Sequence, residues 1–158
     1  MTTGRARVAV IGVGNPYRSD DGVGPAVLTQ LEGRCPPAVS LILADGEPSQ
    51  LLDAWAGLDL AVVIDAVLCD PATPGRIDRT SLGASMPGTA AASTHGLGIP
   101  DAVRLAEALD LAPRELVVFA VEAADLGFGL GLSSEVAAAL PALVDAVLAE
   151  VNRRVLAP

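Results

Sequence analysis

Two carboxylate sites and one imidazole stand out in this chain as groups able to do chemistry together. Asn15 and the adjacent pair Asp20 and Asp21 follow one apolar run, Asp65 interrupts another, and His95 is the single histidine among 158 residues. Two carboxylates with one imidazole suit a borderline divalent metal such as nickel or zinc, with coordination positions left open for water or substrate. Each residue also has a plainer role open to it. Asp20 and Asp21 can cap a helix. An Asp at the end of a buried strand can accept backbone hydrogen bonds from the next turn, and a lone His at a helix start can be a cap or a surface group. Their joint placement at strand ends favours the metal reading, because open parallel sheets collect ligands there.

The elements that would position these groups follow from the hydrophobic pattern. Arg7 to Gly14 is a continuous apolar, β-branched run closed by Gly14-Asn15-Pro16, which predicts a buried parallel strand. Asp21 to Leu31 carries Val23, Val27, Leu28 and Leu31 at helical spacing, with Ser19, Asp20 and Asp21 as cap and first-turn charge. Val39 to Ala44 reads as a second strand, Ser49 to Ala56 as a helix, and Leu60 to Val67 as a third strand apolar on both faces. A Pro/Gly turn then leads to a short polar strand near Arg76 to Arg79, and Leu82 to Thr94, built of small residues, reads as a mobile loop. A helix over Leu97 to Leu109, a strand over Leu116 to Val121 and a last helix over Ser133 to Val155 complete the pattern. Strands alternating with helices predict a single α/β domain over residues 1–158, its open, mostly parallel sheet covered on both faces.

Composition excludes more than it identifies. Half of the residues are hydrophobic but only 3% aromatic, so the core must come from many small aliphatic contacts, each Å² of apolar burial contributing about 25 cal/mol. A net charge of −9 repels phosphate backbones and argues against nucleic-acid binding. Cys35 and Cys69 make no metal-knuckle or CxxC spacing and suit a reducing compartment. The apolar run near the N-terminus is too short for a secretory core, and no stretch approaches the ~20 apolar residues of a membrane helix, so a soluble cytoplasmic protein is expected. Other catalytic patterns fail: Tyr17 stands where a dinucleotide fingerprint needs its third glycine, and neither GxSxG nor HExxH occurs. A Cys69–His95 dyad stays open as a nucleophile and base, although nothing near Cys69 marks it as activated.

Six blocks in order resemble the hydrogenase maturation endopeptidases. They are GVGNPYRSDDGVG (Gly12 to Gly24), DGE (Asp45 to Glu47), VVIDAV (Val62 to Val67), STHGLGIPD (Ser93 to Asp101), VEA (Val121 to Ala123) and GLSSEV (Gly131 to Val136). The resemblance runs from about Val8 to Val151. It implies a three-layer α/β/α sandwich with a mostly parallel twisted sheet. It also implies a metal site, matched position by position as Asp21, Asp65 and His95, which would serve in both catalysis and metal recognition. Two departures are present. Glu47 stands where the family often has Gly, adding a carboxylate that bears on substrate preference. Ala120 and Ala123 flank the Glu122 block where Gly and Pro are frequent.

The implied activity is removal of the C-terminal extension from the large-subunit precursor of a nickel–iron hydrogenase after nickel insertion. The nickel would be carried by the substrate, and the partner would be that precursor, met by this chain as a monomer without nucleic acid or membrane insertion. The same three residues would also fit a non-catalytic, nickel-sensing chaperone of the precursor.

Overall fold

The computed structural model describes residues 6–82, 92–93 and 98–156. In chain order these form β1 (Val8–Val13), α1 (Val23–Leu31), β2 (Ser40–Ala44), α2 (Pro48–Trp55), β3 (Leu60–Leu68), β4 (Ile77–Leu82), β5 (Ala92–Ser93), α3 (Gly98–Ala108), β6 (Glu115–Glu122) and α4 (Ser134–Val155). The sheet runs β2-β1-β3-β6-β4, with β5 added to β3. β1, β2, β3 and β6 pair in parallel, whereas β4 on β6 and β5 on β3 are antiparallel. The mostly parallel sheet is as expected. Within the segment expected as a loop, Leu82 closes β4 and Ala92–Ser93 make β5; the rest of it lies outside the described residues.

Side chains alternate across the sheet, and two cores result. Val62, Ile64 and Ala66 of β3, with Val8 and Val10 of β1, face α1 and α4. Ala61 and Val63, with Ile11 and Val13, face α2 and α3 around the fully buried Trp55. Helices on both faces explain why β3 is apolar at successive positions rather than at every second one. The period of two also places Asp65 on the face shared by Ala61 and Val63.

Local chemistry sets the helix ends. Pro48 opens α2, where its missing N–H removes no hydrogen bond. Ser133 caps α4 by accepting the Val136 N–H at 3.4 Å, with Glu135 in the first turn and Arg153 and Arg154 in the last, all suited to the helix dipole. α1 begins differently. A single 3-10 turn, Ser19–Gly22, precedes it, and neither that turn nor α1 has a side-chain cap. Asp20 and Asp21 therefore do not cap the helix, as the sequence pattern suggested; their carboxyl groups are engaged elsewhere.

α1 also lies unusually close to β1. A Cβ on Gly12 would meet the Gly24 carbonyl oxygen at 2.6 Å, and one on Gly24 would meet the Val13 nitrogen at 2.7 Å. This glycine pair lets helix and strand backbones touch, which holds the intervening turn down on the sheet.

Candidate active site

The carboxyl ends of β1, β2 and β3 point the same way, so the residues that follow them share one rim. Asp21 is buried in the 3-10 turn after β1, and Asp65 is buried near the end of β3. The turn packs directly against β3. His95, expected as the third member, lies outside the described residues. Among the described residues no cluster of three His, Cys, Asp or Glu side chains has metal-binding spacing.

The turn bearing Asp21 is built by its own backbone. The Asp21 Oδ2 accepts the Asn15 N–H at 2.8 Å, and the Asn15 Oδ1 accepts the Tyr17 N–H at 2.9 Å. The Asp21 N–H donates to the Arg18 carbonyl at 3.0 Å, and the Gly14 N–H reaches the Ala44 carbonyl at the end of β2 at 2.9 Å. Gly14 has φ +141°, and a Cβ there would lie 1.9 Å from the Asp21 carbonyl oxygen. Gly14→Ala is therefore expected to cost at least about 2 kcal/mol, since both the dihedral and the contact must give. It should lower turnover as well by displacing Asp21, as thermal melts and cleavage assays of the same preparation would show.

Asp20 faces the other way. It is fully buried, and its Oδ2 accepts from the Ala124 N–H (2.8 Å), the Asp125 N–H (3.2 Å) and the Ser133 hydroxyl (2.9 Å). Its Oδ1 accepts the Ser133 N–H at 2.7 Å. Both oxygens are thus committed to the loop between β6 and α4. This occupancy makes Asp20 the tie that fixes the turn carrying Asp21. Sequence reasoning missed this role, and no local signal marks it, because the partners lie more than a hundred residues away.

Asp45 and Glu122 border the same rim. Asp45 is exposed; its Oδ1 accepts the Glu47 N–H at 3.0 Å and its own N–H donates to Gln50 Oε1 at 2.6 Å, so it shapes the entry to α2. Glu47, the unusual carboxylate, is also exposed there. Glu122 is buried, accepts the Thr73 N–H at 2.9 Å and lies 3.7 Å from Arg76 Nε. It anchors the turn between β3 and β4.

Cys69 sits near Glu122 with its pKa raised, first by burial and then by the Glu122 carboxylate. A nucleophilic thiol needs the opposite, a positive setting that favours thiolate. Cys69→Ala is expected to retain processing within about twofold, and the wild-type thiol to alkylate no faster than a free cysteine of ordinary pKa.

A buried acidic turn after the first strand and a buried aspartate near the end of the third thus share one rim of a mostly parallel sheet between two helical layers. A family model described as hydrogenase maturation protease matches residues 25–150, and the chain belongs to that family. The matched stretch includes Asp65 and His95 and begins after Asp21. No curated protein sequence matched significantly. Among solved structures, the hydrogenase maturating endopeptidase HybD from E. coli is similar at TM-score 0.78 and 23% identity, over 93% of each chain, a likeness of fold. A [NiFe] hydrogenase maturation protease, HybD from Thermococcus kodakarensis, is 25% identical at TM-score 0.71, covering 92% of this chain and 99% of its own. A hydrogenase 2 maturation peptidase from a thaumarchaeote is 26% identical at TM-score 0.68, covering 92% and 97%. The chain is a peptidase of hydrogenase maturation, acting in C-terminal processing of the large subunit; the family match favours this over a non-cleaving chaperone.

Proposed function

We propose that this chain, acting as one domain and as a monomer in the cytoplasm, cleaves the large-subunit precursor only after nickel has been inserted, and that Asp21, Asp65 and His95 recognise that nickel. The observation that carries this reading is the burial of Asp21 and Asp65 on one strand-end rim, with the Asp21 turn packed against β3. Two carboxylates are hard, anionic donors, and an imidazole completes a set suited to nickel or zinc. The absence, among the described residues, of any helix long and apolar enough to cross a membrane is compatible with the proposed compartment.

Nickel enters as part of the substrate and would polarise the scissile carbonyl or lower the pKa of an attacking water. The chain's own residues supply placement. Asn15 holds the Asp21 carboxyl through its N–H, Asp20 holds the turn, and β3 holds Asp65 opposite Ala120 of β6, one residue past the end of its ladder with β1. Because the nickel arrives with the substrate, an empty precursor lacks the contact that sets its scissile bond in the site, and cleavage becomes a checkpoint. His95→Ala is expected to abolish processing of nickel-loaded precursor; retained processing in that variant would sink the assignment of the triad.

A further inference from the structure

The chain contains one Trp, one Tyr and two Phe. Trp55 and Phe119 are spent on the core. The other two, Tyr17 and Phe128, are 66% and 92% exposed, and Leu130 beside them is 79% exposed. They lie on two loops joined backbone to backbone. The Gly129 N–H donates to the Tyr17 carbonyl and the Ser19 N–H to the Gly129 carbonyl, each at 2.9 Å. Arg18 stiffens the junction: its Nε donates to the Leu126 carbonyl at 3.2 Å, and its guanidinium carbon stands 5.8 Å from the centre of the Phe128 ring. Next to this junction is an open depression of about 340 Å³ lined in part by Pro16, Ser19, Gly131 and Leu132.

We propose that Tyr17, Phe128 and Leu130 form an apolar docking rim for the hydrogenase large-subunit precursor, receiving apolar side chains that border its C-terminal extension. The proposal rests on the function proposed above and adds a surface that selects the precursor independently of its nickel. Three observations carry it. First, exposed large apolar groups are normal singly, but a group of them on one surface marks an interaction site, and here they include both aromatics that the core does not use. Second, the loops are held by backbone bonds and by the buried Asp20 tie, so little freedom is lost when a partner binds. Third, the rim adjoins the proposed site along the chain: Tyr17 and Asp21 lie four residues apart in the loop after β1, and Asp20 fastens that loop to the one carrying Phe128.

The test measures binding and cleavage of nickel-loaded precursor by wild type and by Tyr17→Ala/Phe128→Ala, with Phe128→Tyr as a conservative control. The expected result is a rise of at least about 10-fold in Kd and KM for the double variant, little change in kcat, and near-wild-type binding in the control. Unchanged Kd in the double variant overturns the rim. So does a self-associating wild type that the substitutions render monomeric without altering precursor affinity, since the surface then belongs to a second copy. A wild type that binds the precursor but never cuts it counts against the proposed function instead, and the ratio of Kd values still decides the rim.

Discussion

Asp65→Ala is expected to reduce cleavage of nickel-loaded precursor by at least about 1000-fold, the loss appropriate to removing a metal-directed carboxylate from a site that works through charge placement. The fold should survive. β3 is held by backbone ladders to β1 and β6, and truncating one side chain leaves those ladders intact. Asp21→Ala should behave similarly, and the double variant should be little worse than either single one. Groups that act on one centre as a unit lose most of their effect with the first deletion. Additive losses would instead show that the two carboxylates act separately, one of them not on the nickel. Circular dichroism and a thermal melt on each variant separate a dead site from a damaged fold.

Asp20→Ala is expected to be damaging by a different route. Removing this buried carboxyl takes the partner from the part-buried N–H groups of Ala124, Asp125 and Ser133, together with the Ser133 hydroxyl. A donor left without a partner costs about 1–3 kcal/mol where water cannot reach it, and because these are part-buried the expected total is about 3 kcal/mol. For a chain of this size that is a drop in melting temperature on the order of 10 °C. Asp20→Asn should not rescue it well, because three donors converge on Oδ2 and one on Oδ1, so the amide nitrogen faces a donor in either orientation. Unlike Asp65→Ala, protein that remains folded at low temperature should keep measurable nickel-dependent cleavage. A stable but inactive Asp20→Ala protein would contradict the structural role and make Asp20 part of the chemistry.

The two aspartates show where a sequence is readable and where it is not. β1 and β3 were legible because a strand buried on both faces must be apolar at every position, and Asp65 stood out against that background. Their parallel pairing followed from the helices between them. β4 was visible only as a short polar strand, and β5, two residues long, carries no pattern at all. Asp20 was misread as a helix cap because Ser-Asp-Asp before an apolar helix is the usual capping signal. Its true partners come from the loop between β6 and α4, and only the folded chain brings them together. The exposed aromatics were equally silent, since nothing local distinguishes Phe128, which is exposed, from Phe119, which is buried in β6. The family resemblance adds what spacing could not, the proposal that Asp21, Asp65 and His95 share one site.

The central claim is that nickel in the precursor licenses the cut. It is tested most directly by the intact mass of a cognate large-subunit precursor after incubation with this protein, with and without nickel loading. The account predicts loss of a defined C-terminal fragment from the loaded precursor and no change in the empty one. Equal cleavage of both, or stable binding of the loaded precursor with its mass unchanged, would contradict it.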